Sequence, residues 1–306
     1  MTDLPAAPSR AMPARSDGGR RALVFGGSGQ IGRPLLARLL HAGWKVHALS
    51  REAQEEGPPG VHWLRGDLAT ARDLPPDVDA IFSCGPLDAF ALRFARGDLA
   101  GAQVVAFGST SVAVKHDSTD AGERDIARRL REAEARLFDA ASARGIAATV
   151  LRPTLVYGAG RDATLTRIAR LAQRLHGFAL PADATGLRQP VHVDDLAAVA
   201  MACLDAPVAA GQAYAVPGGE TLAYREMVAR VLASLPSRPR LWTLPPALFR
   251  TLLAPARLAG VAAGFNDAAL ARMREDLVFD AAPAARDLGY APRAFAPDAA
   301  MFTPPA

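Results

Sequence analysis

Residues Ala22–Phe25 form an apolar run that ends in glycine, the pattern of a short strand buried on both faces of a sheet. Ile31, Leu35, Leu36, Leu39 and Leu40 then recur at helical spacing, and Gly43 closes the helix they predict. Further strands are predicted at Lys45–Ser50, Val61–Arg65, Val78–Cys84 and Gln103–Phe107. A long helix follows over Glu123–Arg144, with Ile126, Leu130, Leu137 and alanines on its buried side, and Ile146–Leu151 is a sixth strand stopped by Pro153. Strand, helix, strand repeated in this way implies an α/β fold, a doubly wound parallel sheet of Rossmann type with helices on both faces.

After Pro153 the pattern loosens. Helices are expected at Thr164–Leu175, Leu196–Leu204, Thr221–Leu235 and Ala247–Leu253, with an extended stretch at Leu187–Val193 and Pro-rich connections. The chain therefore divides into a flexible N-terminal tail (1–20), a core (21–157) and a smaller lobe (158–306) with returns to the sheet near 187–216. There is no internal repeat and no linker that would free a separate domain.

Half of the 306 residues are hydrophobic and 22% are charged, enough to bury a sizeable core. No stretch approaches the roughly 18–20 apolar residues of a membrane span. The start carries arginines without an apolar segment, so it does not read as a secretory signal. Cys84 and Cys203, each inside an apolar segment, fit two buried thiols in a reducing, cytoplasmic setting better than a disulfide. The six histidines lack metal-ligand spacing, so no metal is expected. The basic excess is 35 − 31 = +4, almost wholly from arginine, since Lys45 and Lys115 are the only lysines. Arg128, Arg129 and Arg131 share their helix with Glu132 and Glu134, a solvated face rather than a nucleic-acid footprint. The expected partner is a small molecule, neither nucleic acid nor membrane.

The strongest local signal lies between the first strand and the first helix: Gly26-Gly27-Ser28-Gly29-Gln30-Ile31-Gly32. In this GxxGxxG loop Gly26 permits the tight turn, Gly29 lets backbone approach a pyrophosphate, and Gly32 lets the helix pack on the strand. The helix N-terminus then offers N–H groups and a positive dipole end to phosphates, so NAD or NADP is the expected cofactor. Where an NAD-preferring site carries an acid, the second strand ends in Ser50 and Arg51, which suit a 2′-phosphate, with Arg33 as helper. NADP is therefore preferred, and Glu52 keeps NAD open. Asp67, followed by Leu68, either accepts from the adenine amino group or caps a helix. Gly85 ends the fourth strand where backbone passes close to the cofactor.

These residues resemble the extended short-chain dehydrogenase/reductases, the NAD-dependent epimerase/dehydratase family, which acts mostly on nucleotide sugars. The resemblance runs from Arg21 onward through the glycine loop, Gly66-Asp67-Leu68, Arg152-Pro153-Thr154-Leu155-Val156-Tyr157-Gly158 and His192-Val193-Asp194-Asp195-Leu196-Ala197. It implies a Tyr-x-x-x-Lys pair on the long helix, and that pair is missing. His41 and Ser111 stand four residues before the two lysines, and the helix carries Ile126 and Leu130, or Asp125 and Arg129, at the expected positions. The family's hydroxyl residues have counterparts in Ser109 and Thr110, which are either catalytic or turn caps. Lys115, His116 and Asp117 are either substitute acids and bases or a solvated loop.

By the same resemblance Tyr157 is a packing residue beside the nicotinamide, and Arg152 binds a carboxamide, a phosphate or a carboxylate of the protein. Asp194 and Asp195 are expected to cap the helix beginning at Leu196, and Arg161, Arg167 and Arg188 either bind a substrate anion or are solvated. Related proteins pair through the long helix, which makes a homodimer the oligomer to look for. The function expected is an NAD(P)-dependent oxidoreductase or epimerase/dehydratase-like enzyme. Its substrate is a nucleotide sugar or a related small carbonyl or hydroxyl metabolite, and its acid–base residues are non-standard. The alternative is a non-catalytic NAD(P)-binding sensor or assembly protein.

Overall fold

The computed structural model describes residues 19–54, 59–258 and 267–303, so most of the expected tail lies outside the described residues. The first half runs β1 (Arg21–Phe25), α1 (Gly32–His41), β2 (Lys45–Ser50), β3 (Val61–Arg65), β4 (Val78–Ser83), α2 (Leu87–Phe94), β5 (Gly101–Phe107), α3 (Ser111–Val114), α4 (Ala121–Ser142) and β6 (Ala147–Pro153). The second half continues with β7 (Val156–Tyr157), α5 (Leu165–Leu175), β8 (Gly177–Pro181), β9 (Leu187–Arg188), β10 (Val191–His192) and α6 (Val193–Ala202). It ends with β11 (Ala213–Val216), β12 (Leu222–Ala223), α7 (Tyr224–Ser234), β13 (Arg240–Leu244), α8 (Pro246–Leu258), α9 (Asp267–Arg272) and α10 (Ala282–Leu288).

Seven strands form one parallel sheet in the order β11-β6-β5-β4-β1-β2-β3. Side chains alternate across it, as strand geometry requires. Ala22 and Val24 enter one apolar layer with Leu35, Leu36 and Leu39 of α1 and Leu196 and Val199 of α6. Leu23 and Phe25 enter the opposite layer with Phe90 and Phe94 of α2 and Ala133 and Leu137 of α4. Residues 213–216 return to the sheet beside β6. A third core, built from Tyr157, α5, β8 and α7, holds the second lobe. Strand order reverses between β4 and β1, which opens a crevice at the carboxyl ends of the strands.

Several elements differ from the sequence pattern for identifiable reasons. The long helix begins at Ala121, because the Asp120 side chain accepts from the Glu123 N–H at 2.9 Å and caps it. The extended stretch 187–193 splits into β9 and β10, which pair with β12 and β7 respectively. Pro190 lies between them and has no N–H to continue a ladder. The helix expected from Leu196 starts at Val193, so Asp194 and Asp195 lie in its first turn and His192 is the cap, its ring accepting from the Asp194 N–H at 3.2 Å. Helix α2 lay outside the sequence reading although Leu87, Phe90, Ala91 and Phe94 share one buried face, and Arg93 is buried beside them. Among the described residues no helix is long and apolar enough to cross a membrane.

Phe90 joins the sheet to α2: it is fully buried, with ring centroids 5.6 Å from Phe25 and 5.8 Å from Phe94. Truncation leaves a cavity that close-packed neighbours fill only in part. Phe90→Ala is expected to lower unfolding free energy by about 3–5 kcal/mol in urea titration; a loss below about 1 kcal/mol would show that this layer does not carry the sheet.

Candidate active site

The chain leaves β1 at Phe25 and turns at Gly26, whose φ of +74° favours glycine. Gly32, the first residue of α1, is more tightly confined: a Cβ there would lie 2.1 Å from the Gly26 carbonyl oxygen and 2.7 Å from the Gly27 Cα. Close backbone contact thus seats the start of α1 directly on the loop. No side chain caps α1 and no acid occupies its first turn, which leaves its positive end to an anion. Gln30 adds a buried Oε1 with no hydrogen-bond partner among the described residues. A dinucleotide pyrophosphate fits this combination of close approach and uncapped helix.

Beside the loop lies a cleft of about 550 Å³. Gly26, Ser28, Gly29, Ser50, Arg51, Asp67, Leu68 and Gly85 line it, so eight of the residues singled out in the sequence come together. Gly27 packs beneath the loop against Ala48, and Ile31 is buried in the core below α1. Ser50 Oγ lies 3.2 Å from Ser28 Oγ, tying the second strand to the loop, while Arg51 is exposed at the rim. Asp67 Oδ1 accepts from the N–H groups of Ala69 and Thr70 at 2.9 and 2.7 Å and from the Thr70 hydroxyl at 2.7 Å. The Thr70 hydroxyl in particular holds its carboxyl below the usual range. Asp67 therefore caps a turn while still lining the cleft. Arg33 and Arg161 each donate to the Ser28 carbonyl at 3.3 Å, which brings Arg161 to the glycine loop.

A second concavity lies past the ends of β5 and β6. Its inner part, about 220 Å³, is lined by Ser109, Thr110, Ser111 and Lys115 together with Arg188 and Arg272. An outer part of about 260 Å³ shares Arg188 and Arg272 and adds Arg167, Tyr224 and an apolar wall that includes Ile168 and Met273. Ser109 Oγ donates to Ser111 Oγ at 3.0 Å and accepts from the Ser111 N–H at 3.1 Å. The Thr110 hydroxyl donates to the Pro153 carbonyl at 3.1 Å, leaving Ser109 and Ser111 as the freer hydroxyls.

Charge in this cavity is strongly one-sided. Arg188, 5% exposed, donates to the carbonyls of Leu187, Glu275 and Arg272 and lies over the Tyr224 ring. Among the described residues it has no ion-pair partner. Glu123, 9% exposed, pairs with Arg272, accepts from Ser118 Oγ at 2.8 Å and lies 3.9 Å from Lys115 Nζ. Burial, reinforced by Arg272, pushes Lys115 below the ordinary lysine range. Sequence reading missed Glu123 and Arg272 as site residues. Glu123 carried only the signal of a first-turn acid, and Arg272 comes from a distant segment of the second lobe.

Other expected residues lie elsewhere. Arg152 makes a two-pronged ion pair with Glu134, at 2.8 Å on one arm, so it takes the protein carboxylate among its three expected partners and ties β6 to α4. Tyr157 is 1% exposed between His192 and Phe295, and burial pushes its phenol up to about 12. His116 is exposed, with Nδ1 2.5 Å from the Ala113 carbonyl and Nε2 2.6 Å from Asp117. Leu130 packs into the layer below β4 and β5, and Asp125 and Arg129 pair with each other at 3.0 Å on the outer surface. Neither register of α4 sends a proton donor into the cavity.

The model of the NAD dependent epimerase/dehydratase family matches residues 22–95 and 127–216. The chain belongs to that family. The interval between the two matched blocks contains Ser109, Lys115 and Glu123. A UDP-glucose 4-epimerase of Vibrio cholerae is 32% identical over 133 residues, 43% of this chain and 39% of the relative. A 2-alkyl-3-oxoalkanoate reductase of Stenotrophomonas maltophilia is 27% identical over 249 residues, 70% of this chain and 75% of the relative. Among solved structures, an epimerase from Methanothermobacter thermautotrophicus superposes with a TM-score of 0.68 at 16% identity, covering 90% of this chain and 88% of its own. Family membership makes the protein an NAD(P)-dependent enzyme on a Rossmann fold.

Gly32→Ala tests the loop, because only backbone lies against the new methyl. The variant is expected to bind dinucleotide at least about tenfold more weakly in calorimetric titration, with a lowered Tm. Unchanged affinity would place the phosphates away from the start of α1.

Proposed function

We propose that the protein is an NAD(P)-dependent oxidoreductase that interconverts a carbonyl and a hydroxyl group on a small anionic molecule, with NADP(H) as its dinucleotide. The observation that carries this reading is the cavity holding Ser109 and Ser111, walled by Lys115, Arg188 and Arg272 with no carboxylate in its lining among the described residues. Arg188 is the strongest anion anchor: burial disfavours its charge, Asp276 and Glu275 offset that only in part, and among the described residues it makes no ion pair. A substrate carboxylate or phosphate restores the balance.

The two relatives support the same chemistry, since UDP-glucose and a 3-oxoalkanoate are both anions. The apolar wall of the outer cavity favours a 3-oxo acid with a hydrocarbon body over a sugar, whose hydroxyls would have few partners there. Gly26, Gly29 and the start of α1 hold the pyrophosphate, and Ser50 and Arg51 hold the adenosine 2′-phosphate. Ser109 hydrogen-bonds the reacting oxygen and Arg188 fixes the anionic end. A nicotinamide bound at the cleft supplies or accepts the hydride.

Calorimetry is expected to show NADPH binding about tenfold tighter than NADH, with the difference reduced to about threefold or less in Arg51→Ala. Tighter NADH binding would overturn the NADP assignment. A panel of 3-oxo acids and UDP-sugars, followed by dinucleotide absorbance, is expected to reveal turnover of an anionic carbonyl compound. Arg188→Met should raise its KM by about tenfold or more. Turnover confined to neutral ketones would refute the anionic substrate.

A further inference from the structure

The family's phenol is absent from α4, yet a carbonyl oxygen that receives a hydride must also receive a proton. Arginine does not release one in proteins, so Arg188 and Arg272 are excluded. Tyr224 faces the outer cavity, and burial pushes its phenol up to about 12. Tyr157 is sealed between two rings, and His116 with Asp117 lies outside the cavity lining. Setting aside the arginines and the serine and threonine hydroxyls, Lys115 is the one side chain lining the inner cavity, among the described residues, that carries a proton it can release.

We propose that Lys115 is the proton donor in reduction and the acceptor in oxidation, replacing the tyrosine from a different element. The assignment rests on the oxidoreductase reading above. Lys115 ends α3 and lines the same wall as Ser109 and Ser111. In reduction the substrate carbonyl carbon takes a hydride and the π pair moves to oxygen, which takes a proton from Lys115 Nζ. The hydride donor is a reduced nicotinamide dinucleotide, which becomes the oxidised form, and the neutral amine regains its proton from water.

The charges facing Lys115 suit the role. From α4 comes Glu123, 3.9 Å from Nζ, with Asp120 at its cap; from α9 comes Arg272, and from β9 Arg188 across the same cavity. Burial and Arg272 lower the pKa from its ordinary 10.5, and Asp120 opposes them. Because the acid acts only while protonated, reduction weakens as pH rises through the pKa of Lys115, and the lowering brings that limb below 10.5. Oxidation, which needs the neutral amine, strengthens over the same range.

With only two lysines in the chain, reductive ¹³C-methylation labels Lys45, Lys115 and the N-terminus, and NMR follows each separately. Lys115 is expected to titrate below the ordinary 10.5. Lys115→Met should lower kcat for reduction of the best panel compound by about 10²–10⁴-fold, with NADPH affinity within about twofold and Tm retained. Lys115→Arg keeps the ion pair with Glu123 but should be comparably slow and lack the alkaline limb. Turnover within about threefold of wild type in Lys115→Met, or titration of Lys115 at or above 10.5, overturns the assignment. Absence of dinucleotide binding to the wild type overturns the functional reading instead.

Discussion

The contact between the Gly26 carbonyl and the first residue of α1 is the constraint on which the site depends. With no Cβ at position 32, the helix starts against the strand it follows, and its uncapped end lies at the point where strand order reverses. A single methyl there would force loop and helix apart, because the neighbours are backbone atoms with nowhere to move. Ser28, whose hydroxyl meets Ser50 and whose carbonyl receives Arg33 and Arg161, links the loop to the second strand and to the second lobe. A local backbone requirement thus sets both the floor of the cleft and part of its rim.

The second determinant is electrostatic. Placing Lys115, Arg188 and Arg272 around one small cavity is costly unless charge is returned, and the protein returns only part of it through Glu123. Glu123 is held by Ser118 and by its position in the first turn of α4, so it serves as a fixed counter-charge for one cation and a nearby one for another. The rest of that positive charge has no counter-charge in the cavity lining among the described residues. Burial, with Arg272 beside it, lowers the proton affinity of the lysine in the same cavity.

How much could be read from the sequence followed the range of the interactions involved. The strands of the sheet and the glycine loop were legible because an apolar run and a turn glycine are local necessities, as at Ala22–Phe25 and Gly26. Helix α2 was not, since Arg93 lies on its buried face and donates to the distant Ala71 carbonyl. Nor was the division of 187–193, because β9 and β10 take different partners. In the site, Ser50, Asp67 and Gly85 followed from their places at strand ends. Arg152 had three chemically reasonable partners, and only the fold shows that Glu134 takes it. Arg272 had no signal at all, because its partner Glu123 is brought to it by tertiary packing alone.

The two lobes divide the labour of the site. The first lobe supplies the dinucleotide cleft and the Ser109–Ser111 hydroxyls; the second lobe supplies Arg188 and Arg272, which close the cavity from the opposite side. Ile126 and Leu130 leave α4 without a donor there, and Leu130 packs into the layer below the sheet. Packing therefore replaces a polar site function along one turn of the helix. On the proposed assignment the proton comes from another element that reaches the same cavity: Lys115 caps the C-terminus of α3, which follows the Ser109 turn directly. Its position is fixed from both sides, by the hydroxyl turn before it and by the capped start of α4 after it.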